Sequence, residues 1–521
     1  MSLPILGRTK CRMTVENGQE VFTIVYVVRG ETESLLGLKD GEALGIINID
    51  PKGKKPEVIR QLDEGKLPEL KKVSEADKRE MEEKMQRILE PHEEMFHGLG
   101  VAKVDPVHIE IDQAIKPVQQ KRRPIALHYQ DKFKEHIEEL KRAGVVSGPL
   151  KSESAGGWIH NVVITQKSRT SKKIKVNLDT RPMKDAVKTT HFPIPTPQEL
   201  RHNFAGSDRY SVVDLNHAFH QFALDEESQE LFVFYTPWGL YKYNTLVMGV
   251  SSASSECHER IRRIVEGLEG IQQIKDDIVV HGKGEEHDKR LKALLERLQQ
   301  HNITLRREKC EFGVDRVKWF GYIYSERGME VDAERKAVIK SWEAPKDKKE
   351  VKSFLQTVAF CQVFMRPGQG RTYSDVTAPL RKLTAKHTRF NWTKKCQDSF
   401  LELKRLLGSD KVMANYDLTG ATRLYCDDCP RGVAATVAQG YKVDGVDHTV
   451  WRPVTYTSRA KTETEQAYGK VDGESLAVLS GILANKMYLY GTPFTVVTDH
   501  KPIVPMYNSH SQVHTSQGGQ A

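Results

Sequence analysis

The sequence predicts an α+β multidomain protein, and three observations carry that reading. First, 521 residues are too many for one ordinary domain; at roughly 150 residues per unit they imply three or four. Second, β-branched and aromatic runs alternate with segments whose apolar residues recur at helical spacing. Third, charge is segregated. Between residues 115 and 190, 17 Lys and Arg stand against 7 Asp and Glu, a net of +10 in a chain whose total is +9. A field of this kind attracts polyanions, although a solvated face fits composition alone equally well.

Other classes are disfavoured. No apolar run approaches the ~20 residues that cross a bilayer, and Met1-Ser2-Leu3-Pro4 does not begin a signal peptide. Seven cysteines, sparse and odd in number, argue against a disulfide framework. Cys426 and Cys429 form a lone CxxC with no second pair, so reduced structural thiols are expected there rather than zinc.

Taken in order, residues 21–29 read as a buried strand, and Leu35 to Ile47 as a short helix followed by a strand. Residues 51–73, rich in Lys, Pro and Glu, read as a linker. Ser74 and Asp77 resemble a capping box ahead of Met81, Met85, Ile88 and Leu89 at helical spacing. The basic segment holds a helix over 130–143, a strand from Trp158 to Thr165, a polar hairpin from Lys167 to Lys173, and a strand from Ile174 to Leu178. Tyr210–Leu215 is a strand. Phe232–Tyr235 and Leu240–Tyr243 flank a Pro237–Gly239 turn, a hairpin signal. A helix over 253–267, a strand at Ile278-Val279-Val280 and an amphipathic helix through Leu291, Leu294, Leu295 and Leu298 follow. Residues 334–410 are mostly helical. The last unit reads as strands 423–426 and 433–438, a helix over about 466–485 and a strand over 494–498. The polar tail after Tyr507 has a disordered composition.

The most informative residues are carboxylates. Asp214 ends the apolar strand Ser211-Val212-Val213, and Asp276-Asp277 stand between Ile271–Ile274 and Ile278–Val280. Two carboxylates at a tight turn between apolar strands are costly unless a cation neutralises them. A third at the end of a neighbouring strand completes a site for two Mg²⁺ ions, which suits in-line phosphoryl displacement. Alone, a DD turn is more often structural; the neighbouring residues change the odds.

Asp214-Leu215-Asn216-His217-Ala218-Phe219-His220-Gln221 resembles the first palm motif of the reverse transcriptases of gypsy-type LTR retrotransposons, and Ile274-Lys275-Asp276-Asp277 their metal-binding hairpin. Leu246 to Ala253 resembles the motif between the two. Lys309-Cys310-Glu311-Phe312 and Trp319-Phe320-Gly321-Tyr322 resemble the last two palm motifs. Val176 to Arg181 and His191 to Thr196 resemble the fingers segments. Seven motifs in order extend the resemblance over roughly 115–505. The usual aromatic before the Asp pair is Ile274 here, and two common prolines are Val247 and Ser254.

The resemblance implies roles position by position. Asp214, Asp276 and Asp277 match the catalytic metal carboxylates. Phe219 matches the bulky residue that excludes a 2′-OH, and Gly249 the position where backbone meets template and nucleotide. Lys175 stands where an Arg usually binds the triphosphate, and Lys309 where the family carries a proton donor to pyrophosphate. Trp319, Phe320 and Gly321 match the primer-holding segment, while Arg181 is expected to brace the fingers.

Tyr425-Cys426-Asp427-Asp428, Tyr468 to Ala477 and Val497-Thr498-Asp499-His500 resemble the ribonuclease H domain of the same polyproteins. Asp427, Glu474 and Asp499 match three of its metal carboxylates, with Asp428 the alternative to Asp427. That family's fold continues with another helix and a fourth carboxylate, whereas this chain stops at Ala521; the domain is expected to be truncated. Glu33 to Lys39 resembles the second half of a retroviral-type aspartic protease, but the chain has no Asp-Thr-Gly or Asp-Ser-Gly, so no proteolysis is expected.

The resemblance implies a right-hand polymerase, with fingers, palm and thumb, followed by a helical connection and a truncated α/β ribonuclease H-like domain. The expected divisions are a protease remnant (1–50), a linker with an amphipathic helix (51–114), fingers and palm (115–325), thumb and connection (326–410), the ribonuclease H-like domain (411–508) and a disordered tail (509–521). Each active site is expected to take two Mg²⁺, or Mn²⁺. The expected partners are RNA or DNA template with primer, deoxynucleoside triphosphates and other retroelement proteins, with no membrane. The expected setting is intracellular: cytoplasm, virus-like particle or nucleus. The rival readings are an inactive nucleic-acid-binding remnant of a Pol polyprotein and a ribonuclease with a dead polymerase.

Overall fold

The computed structural model describes residues 5–14, 20–28, 47–48, 75–151, 157–166, 174–188, 192–366, 371–407, 412–442, 449–498, 500 and 502–503. The expected helix after Leu35, the linker 51–73, the cap at Ser74, the hairpin Lys167–Lys173 and the tail 509–521 lie outside these residues. Two compact units divide the chain: one spans Lys71–Trp319, and the other takes the remainder.

The first unit is built around an antiparallel sheet ordered Ile271–Ile274, Asp277–Gly282, Arg209–Asp214, Glu311–Val314. Its two central strands hold the β-branched runs read from the sequence. Val213, Ile278, Val279 and Val280 have no exposed surface, so the strand of Ile278 is apolar on both faces. Helices Ala253–Val265 and Glu285–Gln300 pack on this sheet. The first buries Cys257, Ile261 and Ile264, and the second Leu291, Leu294, Leu295 and Leu298. That i, i+3, i+4, i+7 stripe is the period of a helix with one apolar face.

A second sheet is ordered Val146–Leu150, Gly239–Tyr243, Val233–Thr236, Ile159–His160. Pro237 and Trp238 form the two-residue turn of its hairpin, with Thr236 paired to Gly239. Helix Leu127–Arg142 packs on Val146–Leu150. The strand expected from Trp158 to Thr165 is split. Ile159–His160 joins this sheet, whereas Val162–Gln166 pairs with Ile174–Leu178. Asn161 makes the break. Its backbone N–H and side-chain amide donate to Gln120 Oε1 at 2.9 Å, and its Oδ1 accepts from Arg123 N at 2.9 Å. A side chain that satisfies neighbouring backbone competes with the ladder and lets the chain change sheets.

In the second unit, a hairpin of Tyr322–Ser325 and Gly328–Val331 leads into helices Ala333–Ser341, Lys348–Ala359, Tyr373–Leu383 and Lys394–Leu407. Asp332, Asp347 and Thr372 cap the first three, Thr372 in a reciprocal box with Asp375. A five-stranded sheet follows in the order Val450–Ala460, Gly432–Tyr441, Thr422–Cys429, Phe494–Val497, Ile47–Asn48. The first three strands are antiparallel neighbours; Phe494–Val497 runs parallel to Thr422–Cys429. Helix Lys470–Ala484 lies on this sheet at Gly481, where a Cβ would come within 2.8 Å of Ala435 Cβ and 3.1 Å of Cys426 Sγ. Strands Ile5–Thr14 and Glu20–Val28 form an antiparallel pair.

The strand Val450–Ala460 has no counterpart in the sequence reading. Arg452, Pro453, Ser458 and Arg459 interrupt its apolar pattern. It is an edge strand, where the missing N–H of a proline is tolerated.

Candidate active site

Asp214 and Asp277 are directly opposite one another in the central strand pair, and the ladder ends on them. Ile274 pairs with Asp277, so Lys275 and Asp276 form the two-residue loop. Lys275 carries φ +57° in that loop, a left-handed conformation uncommon for a side chain without special local bonding. The three carboxylates thus come from two adjacent strand ends, at Asp214 and Asp277, and from the hairpin loop that enters the Asp277 strand.

Their electrostatics are those of a crowded site. Asp277 is pushed up from 3.8 to about 6, first by burial and then by Asp276 and Asp214. Lys309 Nζ lies 2.9 Å from Asp214 Oδ2. The backbone of Asp214 is fixed on both sides: its N–H reaches Cys310 Sγ at 3.4 Å and its carbonyl accepts from Arg306 N at 2.9 Å. Among the described residues, no three His, Cys, Asp or Glu are gathered as a ready metal cage. The donor set nevertheless suits a hard divalent cation, since all its ligand atoms are carboxylate oxygens whose mutual repulsion Lys309 relieves only in part.

In the same unit, the segment after strand Ile174–Leu178 grips the loop of Gly249. Asp179 is buried and takes a fork from Arg181, at 2.6 Å to Nε and 2.7 Å to Nη2, with Arg123 Nη1 at 3.1 Å. The Arg181 hydrogen bond leads in holding its carboxyl down at about 2, against the effect of burial. The next residue, Thr180, donates from Oγ1 to the Gly249 carbonyl at 2.8 Å. Gly249 has φ +104°, which L side chains rarely adopt, so glycine is required there by backbone conformation.

A second acidic cluster occupies the five-stranded sheet. Asp427 and Asp428 lie on strand Thr422–Cys429, and Glu474, 1% exposed, on helix Lys470–Ala484. Asp428 reaches the helix: a Cβ on Gly473 would come within 2.3 Å of its Oδ2. Its carboxylate pairs with Lys461 Nζ, both side chains being buried. Lys470 Nζ stands 2.5 Å from Glu474 Oε1. Cys426 lies near both Glu474 and Asp427, and burial leads in pushing its thiol well above the ordinary value. Asp499 lies outside the described residues; the parallel register stops at Tyr425 and Val497.

The buried ion pair gives a direct test. Lys461→Met strands the Asp428 charge and should destabilise the chain by about 3 kcal/mol, because an uncompensated buried charge costs more than the pair gains. Adding Asp428→Asn should recover at least half. Thermal unfolding of both variants reads the difference, and equal losses in the two would show that the charge is not the cause.

The sequence comparisons meet this geometry at its centre. Residues 163–324 match the family model described as reverse transcriptase (RNA-dependent DNA polymerase). Residues 392–496 match that of the RNase H-like domain found in reverse transcriptase. The Transposon Tf2-3 polyprotein of Schizosaccharomyces pombe is 27% identical over 374 residues, 71% of this chain and 27% of the relative. The Tf2-7 polyprotein of the same organism is 26% identical over the same length and shares. The chain therefore spans about a quarter of the length of the curated relatives it matches.

Among solved structures, the foamy viral protease-reverse transcriptase dRH in complex with ds DNA superposes with a TM-score of 0.72 at 17% identity, covering 94% of this chain and 83% of that one. The foamy viral protease-reverse transcriptase with an RNA/DNA hybrid gives 0.67 at 16% identity, covering 94% and 64%. At such identity these likenesses establish the fold: an α+β right-hand polymerase architecture with a ribonuclease H-like unit.

The other residues singled out from the sequence are dispersed in environment. Phe219 is half-buried at the edge of the reverse-transcriptase-like core, in the turn Ala218–Gln221. Lys175 is exposed on its strand. Trp319 is buried, with its ring 5.7 Å from that of Phe204. Phe320 and Gly321 have φ of +47° and +77°. Cys426 and Cys429 are buried free thiols. No helix among the described residues is long and apolar enough to cross a membrane. Sequence reasoning passed over His258 and Gln273, which touch the Asp276 loop, and Lys461. A histidine inside an apolar helical stripe was the available signal for the first.

Proposed function

We propose that this chain is the reverse-transcribing portion of a retroelement polyprotein of the gypsy type, extending a primer along an RNA or DNA template. One observation carries the reading: Asp214 and Asp277 face each other across a strand pair, with Asp276 in the hairpin loop that leads into the Asp277 strand, inside the stretch that matches the reverse transcriptase family. Divalent cations, Mg²⁺ or Mn²⁺, held by Asp214, Asp276 and Asp277 would supply charge neutralisation at the reacting phosphate.

The residues of the chain divide the remaining work. The primer 3′-OH attacks the α-phosphate of the incoming deoxynucleotide, and pyrophosphate leaves. Lys309, beside Asp214, is within the centre to protonate that leaving group. Lys175, exposed on its strand, is placed to meet the triphosphate as a point charge. Gly249, clasped by Thr180, lets backbone approach the nucleotide and template. Phe219 closes the sugar side. Phe320 and Gly321 offer backbone to the primer end. The basic segment 115–190 supplies the phosphate-tracking surface, as suits a partner of the kind bound by the foamy viral enzymes, double-stranded DNA and an RNA/DNA hybrid.

In the second cluster, Asp427 and Glu474 would serve as the corresponding acids of a ribonuclease H site, with Asp428 tied to Lys461; Asp499, their third partner by the sequence resemblance, lies outside the described residues. The setting in keeping with the polyprotein relatives is inside the cell, in cytoplasm, nucleus or a particle. Extension of oligo(dT) on poly(rA) with Mg²⁺ tests the polymerase reading, and labelled RNA in an RNA/DNA hybrid reads cleavage separately. Tight template binding without extension would favour the inactive-remnant reading.

A further inference from the structure

The loop that carries Asp276 is not left to the hairpin alone. His258, on helix Ala253–Val265, is 2% exposed, and its Nδ1 accepts from the backbone N–H of Lys275 at 3.2 Å. Gln273, on the strand entering the loop, donates from Nε2 to the Lys275 carbonyl at 2.6 Å and to the His258 carbonyl at 3.0 Å. The same Nε2 lies 3.1 Å from His258 Nδ1. Both polar groups of the Lys275 backbone are therefore held, one by a helix and one by a strand. Lys275 is the residue in the left-handed conformation, so the bonds restrain the strained point of the loop.

His258 can do this only as an acceptor at Nδ1, which places its ring proton on Nε2. Burial favours that neutral ring, pulling the His258 pKa below its ordinary value. A leucine of similar size would fill the space without accepting. An asparagine would keep an acceptor close to the Nδ1 position.

We infer that His258, with Gln273, is a positioning residue that fixes the Lys275-Asp276 loop and so sets where the Asp276 and Asp277 carboxylates present themselves. This rests on the polymerase reading, and the test separates the two. The full chain is compared as wild type, His258→Leu, His258→Asn and Gln273→Glu, the last of which removes the Nε2 donor while conserving volume. Hydrogen exchange at the Lys275 amide is measured first, without nucleic acid or metal; His258→Leu should accelerate it by at least about 10-fold and His258→Asn should restore most of the protection. In primer extension, His258→Leu should lower kcat by about 10- to 100-fold with the template KM unchanged, as expected for a small displacement of reacting groups. His258→Asn should recover most of it.

If His258→Leu does not fold, Gln273→Glu carries the same exchange and kcat comparisons. Exchange and kcat equal to wild type in a folded His258→Leu or Gln273→Glu would overturn the inference. So would an asparagine variant no better than leucine. The exchange effects in the variants, together with a wild-type chain that extends no primer, would overturn the polymerase reading and leave the loop clasp standing.

Discussion

Asp276→Asn should abolish primer extension, with a loss of at least about 10³-fold in kcat, while template-primer affinity stays within about two-fold of wild type. The first number corresponds to about 4 kcal/mol of lost charge stabilisation in the transition state. The second follows if, as proposed, phosphate contacts come from the basic segment and not from the carboxylates. Asp277→Asn should be equally inactive but more stable. In the folded chain this carboxyl protonates near 6 instead of 3.8, so the native state binds that proton more tightly than the unfolded chain does. Stability attributable to the group is then highest below pH 4 and falls as pH rises toward and past 6. Removing the charge should therefore stabilise the metal-free protein by ~1–2 kcal/mol at pH 8, a figure discounted for partial exposure, with the gain vanishing near pH 4. Thermal melts in chelator at the two pH values check the sign. Normal extension by either variant would remove these residues from the catalytic centre.

Phe219→Ala should admit ribonucleotides. If the ring excludes a 2′-OH, its loss should shift the ratio of rGTP to dGTP incorporation by about 10²-fold, or ~2.7 kcal/mol. The ring is half-buried against the reverse-transcriptase-like core, so a purely structural role is the alternative. In that case the change should appear as a lower melting temperature with unaltered sugar selection. The two measurements on one variant distinguish a gate from a packing residue.

The palm-like sheet was legible because its central strands are continuous apolar runs bounded by acids. Ser211–Val213 and Ile278–Val280 announce both the strands and the costly residues at their ends. The helix expected over 253–267 is observed as Ala253–Val265, and its apolar stripe at Cys257, Ile261 and Ile264 made it visible. What escaped the sequence depends on long-range contact. His258 and the Lys275 N–H lie 17 residues apart and meet only when helix and hairpin pack together. Lys461 looks like any surface lysine until the strand beside it brings Asp428 alongside. Asn161 reads as an ordinary polar residue within a strand, although its side chain hydrogen-bonds Gln120 and Arg123 where the chain changes sheets. The edge strand through Pro453 was hidden by the very residue that only an edge tolerates.

The Gly473, Asp428 and Lys461 contact has an evolutionary consequence. Any side chain at Gly473 collides with the Asp428 carboxylate, and any neutral residue at Lys461 strands that carboxylate without a counter-charge. Each position is thus conditional on Asp428, and substitutions at Gly473 or Lys461 run uphill, less steeply when Asp428 changes with them. Descendant copies should exchange these positions jointly. A chimera that takes the segment carrying Lys461 and Gly473 from a relative, but keeps this strand, should inherit a mismatch at the heart of the domain even when every other contact is preserved.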